Sequence, residues 1–327
     1  MPQELLNQLE KFSAICHAIH TDPVACDLKV SFFCVAAAWN YRQGESVKPS
    51  PSKFSKLDDV DMEGLIGVLK KIPPLTEVAN NEPEMDVVDF LHWLLVQQMQ
   101  PQVVRVNPSD VRDVLEKFNW DKREIRPTHI FRIAHAAGSA AEMKFREFAE
   151  HFPTQWAFHG SRVHNFHSIL HFGLAQHLNK RSAFGEGIYL STDLSVSLTY
   201  SPLEPTWTHS QLGQRFSCVA LCEYIEHPDH FKCHSTSRKS EIPKNFIVVT
   251  NNETIRVRYL LLYAKASPRR QPNRGPIEEW MVQNKATLLI ISYAFILLAV
   301  NLCSSSNSWW ADIRNIAGKF FPNLFNS

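Results

Sequence analysis

The sequence predicts an α+β protein with three parts in order: an all-helical N-terminal domain, a domain built on a mixed or antiparallel sheet, and one transmembrane helix near the C-terminus. Three observations predict it. Apolar residues recur at helical spacing up to about residue 99, fall in short β-branched or alternating runs over residues 100–265, and form an uncharged run at residues 286–302. The implied divisions are 1–99, 100–265, a linker 266–285, a membrane span 286–303 and a tail 304–327.

The first helix is predicted by Leu5, Leu9, Phe12, Cys16 and Ile19, spaced on one helical face. Asp22-Pro23 then offers an N-cap and a first-turn proline for a second helix to about Arg42. The stretch SVKPSPSK interrupts the pattern, which resumes over Asp58–Lys71 and Met85–Met99. His17, His20 and His92 read as ordinary helix residues, and no catalytic constellation stands out here.

Strands are predicted at Val103–Val106, His129–Ile133, Trp156–Phe158, Gly187–Leu190, Phe216–Tyr224, Phe246–Thr250 and Ile255–Tyr263. Between them, Val163–His171 reads as a helix with Gly173 at its C-cap, and Asp193 as the cap of another through Tyr200. Strands and helices do not alternate strictly, which argues against a doubly wound sheet.

Lys265–Pro276 is basic and proline-rich, as a linker is. Ala286–Leu302 then reaches the short end of what crosses a bilayer as a helix, and Cys303 or Trp280–Val282 would lengthen it. Arg269, Arg270, Arg274 and Lys285 precede the run, against Arg314 and Lys319 beyond it, so the N-terminal side is expected in the cytosol. Trp309 and Trp310 suit the headgroup level. One such C-terminal span is a tail anchor in the lipid bilayer.

A formal net charge of +1, from 34 Lys+Arg against 33 Asp+Glu, gives no electrostatic footprint for nucleic acid. The 7 cysteines are odd in number and scattered, as in a reduced compartment. The opening MPQELLNQLEKF lacks the form of a secretory signal. Cys218, Cys222, His227, His230, Cys233 and His234 lie close together, but two cysteines four apart in a strand suit packing better than tetrahedral ligation. No metal is expected.

Three segments carry candidate chemistry: Phe158-His159-Gly160-Ser161, Gly185-Glu186-Gly187-Ile188-Tyr189, and Ser197-Leu198-Thr199-Tyr200. His159 follows a strand and can leave the sheet where a ligand approaches, and Gly160 leaves its main chain uncovered, which suits a primary carboxamide. Ser197 and Tyr200 share a helix face. Tyr189 and Tyr200 are a pair able to flank a flat ring.

Trp156–Tyr263 resembles the catalytic domain of the poly(ADP-ribose) polymerase family, through FHGS, GEGIYLSTDLSVSLTYS and the closing VRYLLLY in order and spacing. With the helical region and the C-terminal run, the resemblance extends to the family's tail-anchored mono-ADP-ribosyltransferase type. It implies NAD as co-substrate without a metal, and protein acceptors that include the chain itself. It also implies residence in the endoplasmic reticulum membrane and nuclear envelope, and a part in endoplasmic-reticulum stress signalling. His159 would then bond an NAD ribose hydroxyl. Gly160, within the His159–Ser161 segment that binds NAD, would hold the nicotinamide carboxamide with help from the Ser197 hydroxyl. Tyr200 would stack on the nicotinamide, with Tyr189 near the same ring.

The third position of the family's His-Tyr-Glu signature falls on Phe246. Phenylalanine cannot take a proton from an ADP-ribose hydroxyl, so chain elongation loses its base and single-unit transfer is expected. The alternative is a membrane-tethered scaffold that binds NAD or ADP-ribose without turning it over. The helical domain has enough apolar face to pack on the sheet domain, and to restrain or support the site.

Overall fold

The computed structural model describes residues 3–56, 59–98, 101–116, 126–175, 184–234 and 242–265. The chain divides after Ser267, and the described residues all belong to the unit before it. Among them no helix is long and apolar enough to cross a membrane. The expected linker, span and tail at 266–327 lie outside the described residues.

Helix α1 (Gln3–Thr21) leads directly into α2 (Pro23–Gln43). Asp22 caps α2 as its sequence implies, accepting from Ala25 N at 2.9 Å, and Gly44 ends the helix in a left-handed conformation. Short helices α3 (Met62–Leu69), α4 (Leu75–Val78) and α5 (Met85–His92) follow. The run expected as one helix to Met99 instead loosens after His92 into a π-turn at Trp93–Gln97. Ile15, Phe33, Leu65, Phe90 and Leu91 are buried together as the centre of this helical layer.

The expected strands all form: β1 (Gln102–Val106), β2 (His129–Ala134), β3 (Thr154–Ser161), β4 (Ile188–Ser191), β6 (Arg215–Ile225), β8 (Phe246–Val249) and β9 (Ile255–Lys265). Two short strands join them, β5 (Glu204–Pro205) and β7 (Phe231–Cys233). Among the described residues the order is β1-β2-β9-β6-β3-β4-β8-β7, with β5 on β6. The expectation of a mixed or antiparallel sheet resolves to antiparallel pairing throughout these strands. Between strands lie α6 (Arg112–Leu115), α7 (Ala140–His151), α8 (Phe166–Phe172) and α9 (Leu194–Thr199).

Both faces of the sheet are buried, so β6 reads as a continuous apolar run rather than an alternating one. On one face Phe216, Cys218, Ala220 and Cys222 meet Leu260 and Leu262 of β9 and Leu28 and Phe32 of α2. On the other, Phe158, Val219, Leu221 and Leu261 pack with Leu194 and Leu198 of α9. The Phe32 ring stacks on Phe166 at 5.4 Å and meets Phe216 edge-on at 5.9 Å.

A buried carboxylate ties the helical layer to the sheet. Asp27 of α2 accepts from the Trp207 indole N–H at 2.8 Å, from Ser31 Oγ at 3.1 Å and from Gln211 N. Neutral donors thus satisfy a charged group that water does not reach. Trp207, from the loop after β5, is itself buried within the helical core.

Candidate active site

The functional side chains converge where β3 and β4 part. β3 pairs with β6 along its whole length, but with β4 only through Phe158 and Ser191. Among the described residues no further β3–β4 pairing continues through His159, Gly160 and Ser161. Next in the sheet, β8 pairs Phe246 with Ser191 and Val248 with Tyr189. His159, Tyr189 and Phe246 therefore stand on three successive strands.

Side chains alternate between the faces of a strand. Ile188, Leu190, Ile247 and Val249 belong to the core on the α2 side, so Tyr189 and Phe246 turn to the face that carries α9. Gly160 shares that face, two residues from Phe158. His159, the residue between them, directs its ring to the Tyr189 main chain of β4.

His159 Nδ1 lies 2.9 Å from the carbonyl oxygen of Tyr189. A carbonyl only accepts, so Nδ1 carries the proton and Nε2 is left as an acceptor. Burial pushes the imidazole pKa below its ordinary value, against the opposing pull of the bond to Tyr189 O. The ring is set to receive a hydroxyl proton in a hydrogen bond.

Glycine at position 160 is a packing requirement. A β-carbon there would lie 1.9 Å from Ser197 O and 3.0 Å from Tyr200 Cβ. α9 thus crosses directly over the strand, and Asp193 caps it by accepting from Ser195 N at 2.8 Å. Ser197 is buried, and its hydroxyl donates to Phe158 O at 3.2 Å. With its proton engaged there, the Ser197 hydroxyl presents an acceptor oxygen. Tyr200 is 58% exposed, an open ring at the end of α9. Ser161 Oγ accepts from Asn165 Nδ2 at 3.0 Å, and Ser161 N donates to Ser201 Oγ at 3.1 Å.

Tyr189 does more than present a ring. Its hydroxyl accepts from Phe184 N at 2.8 Å and donates to Gly185 O at 2.7 Å, folding the preceding loop back onto its own strand. Gly187 makes that fold possible, with φ +153 and a missing β-carbon that would lie 2.4 Å from Val248 Cγ1. The Phe184 ring stands between Tyr189 at 6.2 Å and Phe246 at 6.4 Å.

Sequence reasoning missed Phe184 and Ser201. Ser201 is buried and donates to Ser197 O at 3.3 Å, joining α9 to the end of β3. Only its place one residue after Tyr200 signalled it. Among the described residues no three His, Cys, Asp or Glu side chains form a metal-sized group. Cys218 and Cys222 are both buried within β6, where burial drives their thiol pKa values up.

Residues 109–230 match the poly(ADP-ribose) polymerase catalytic domain, and residues 17–95 match the ARTD15 N-terminal domain. The chain is 33% identical to protein mono-ADP-ribosyltransferase PARP16 of Mus musculus over 329 residues, 94% of this chain and 99% of that protein. Against PARP16 of Homo sapiens it is 33% identical over 315 residues, 90% of this chain and 95% of that protein. A shorter match, 34% identical over 124 residues, reaches protein mono-ADP-ribosyltransferase PARP8 of Mus musculus and covers 28% of this chain and 15% of that protein. The chain therefore belongs to the poly(ADP-ribose) polymerase family and is an NAD-dependent ADP-ribosyltransferase.

Proposed function

We propose that the chain transfers single ADP-ribose units from NAD to protein side chains, its own included, while anchored in the endoplasmic reticulum membrane. The observation that carries the single-unit reading is Phe246. It occupies the strand beside Tyr189, on the same face, where elongation would need a carboxylate.

The surrounding residues fit a bound NAD. Nε2 of His159 accepts from a ribose hydroxyl, the uncovered main chain at Gly160 takes the carboxamide with the Ser197 oxygen as a further acceptor, and Tyr200 offers its open face to the nicotinamide ring. When bound, NAD supplies a ribose carbon that exchanges its bond to nicotinamide for a bond to the acceptor side chain. The protein's part is orientation. Fixing the ring and the ribose favours the oxocarbenium-like passage between the two bonds, and no proton need be moved by Phe246 when a carboxylate of the acceptor is the nucleophile.

The membrane reading rests on the uncharged run at 286–302 and the basic residues before it. The thin bilayer of the endoplasmic reticulum suits so short a span. A role in stress signalling, in which the tail at 304–327 reports lumenal conditions, goes with that placement.

Labelled NAD tests the chemistry. Discrete labelled bands that vanish in His159→Ala and Tyr189→Ala are expected, polymer ladders would refute single-unit transfer, and NAD binding without label would favour the scaffold. Carbonate washing of membranes tests the anchor, since recovery of the whole chain in the soluble fraction would exclude it. For the stress role, transfer is compared with and without residues 304–327 under lumenal stress, and equal responses would remove the tail from it.

A further inference from the structure

Outside the site lies a cluster that the chemistry above does not use. Trp39, near the end of α2, lies flat on the ring of His164 with centroids 4.2 Å apart and planes inclined by 4°. The Arg162 guanidinium stands 5.7 Å from the Trp39 ring centre and donates to Glu204 Oε1 at 3.1 Å. The second carboxylate oxygen of Glu204 faces His164 Nδ1 at 3.7 Å, and both of these buried atoms lack a hydrogen-bond partner.

The connectivity gives the cluster its meaning. Arg162 and His164 lie just beyond Ser161, where β3 leaves the site, and Glu204 lies just beyond Tyr200 and Ser201, where α9 leaves it. Glu204 thus ties together the exits of the two segments that frame Gly160. On the site side the same turn is held by Asn165 on Ser161 and by Ser201 on both Ser161 N and Ser197 O. Trp39 closes the outer side, and it belongs to the helical layer.

A bare surface ion pair would contribute little, because an arginine that is 54% exposed is well screened. What distinguishes this pair is its cover. Glu204 and His164 are only 11% and 10% exposed, and the indole lies flat over the His164 ring that faces the carboxylate. Removing the indole would admit water to both unpaired atoms and free the turn to move.

We propose that Trp39, acting through His164, Glu204 and Arg162, positions the Gly160–Ser161 end of β3 against α9, so that the helical layer supports NAD binding. The four are positioning residues and touch no reacting atom. This rests on NAD lying at His159 and Gly160.

The test uses the full-length chain in detergent, with NAD affinity measured by calorimetry and automodification followed for KM and kcat. Trp39→Ala is expected to raise the Kd and KM for NAD about tenfold with kcat within about twofold, and Glu204→Gln to raise them severalfold. Trp39→Phe, which keeps a flat ring, is expected to recover most of the loss. Val88→Ala, a cavity in the helical core away from the cluster, lowers the unfolding midpoint as a control and should leave Kd unchanged. An unchanged Kd in Trp39→Ala, a Trp39→Phe as weak as alanine, or an equal loss in Val88→Ala would overturn the proposal. A wild-type chain that binds NAD but labels nothing would overturn the transfer reading alone, since Kd still reports on the cluster.

Discussion

Gly160 lies so close beneath α9 that a β-carbon on it would fall 1.9 Å from the main-chain oxygen of Ser197. The contact is with backbone, so no side-chain rotation relieves it. Gly160→Ala should push α9 and Tyr200 off the strand, cost about 1–3 kcal/mol of stability, and lower transfer about a hundredfold. Thermal unfolding with and without NAD, beside a labelling assay, checks it; a variant that still gains wild-type stabilisation from NAD would show that the close approach is unnecessary.

Tyr189→Phe separates the ring of Tyr189 from its hydroxyl. The ring remains, but the bonds to Phe184 N and Gly185 O are lost, and with them the fold of the loop. KM for NAD should rise severalfold with kcat less affected, whereas Tyr189→Ala should abolish labelling. Equal damage from the two substitutions would assign the whole role to the hydroxyl.

The Asp27 carboxylate predicts a stability effect far from the chemistry. Asp27→Ala strands the Trp207 indole N–H and Gln211 N in a dry interface and should cost about 3 kcal/mol. Urea denaturation measures it. A loss below about 1 kcal/mol would mean that water reaches those donors.

Stability should also fall on the acid side of neutrality. His167 is buried, with Nε2 2.9 Å from Pro49 O and the His171 ring at 4.6 Å; burial first, then the neighbouring His171, lower its pKa from 6.5 to about 3. The folded state refuses a proton that the unfolded chain accepts below pH 6.5, so this contribution is complete above that pH and is lost as pH falls toward 3. By pH 5 the His167 share alone amounts to about 2 kcal/mol. His167→Phe should flatten the urea midpoint against pH even if it lowers the midpoint at pH 7; an unchanged slope would move the effect to other groups.

Much of the fold was legible because single residues signalled it. Asp22-Pro23 announced α2, Asp193 announced α9, and the alternating or β-branched runs announced every described strand longer than three residues. What escaped had weak local signals. α7 has an apolar face little wider than Phe145, and its start was marked only by Ser139, which accepts from Glu142 N at 3.3 Å. β5 and β7 have two and three residues, too few for a period to show. In the site, His159, Gly160 and Tyr189 were readable as motifs. The Phe184 ring between Tyr189 and Phe246 was not, since it depends on strand register rather than on spacing along the chain.

Helix α2 is buried on opposite sides, giving Leu28 and Phe32 to the sheet and Val30, Phe33 and Ala37 to the helices. It is a party wall shared by two rooms. A protease that clipped the chain near residue 99 and carried off the first five helices would not release a freer enzyme. It would leave Phe166 and Phe216 facing water, remove the cover from Trp207, and turn a catalyst into a substrate for quality control. The same geometry means that a lesion in α2 itself is felt on both sides, because its two buried faces share one backbone.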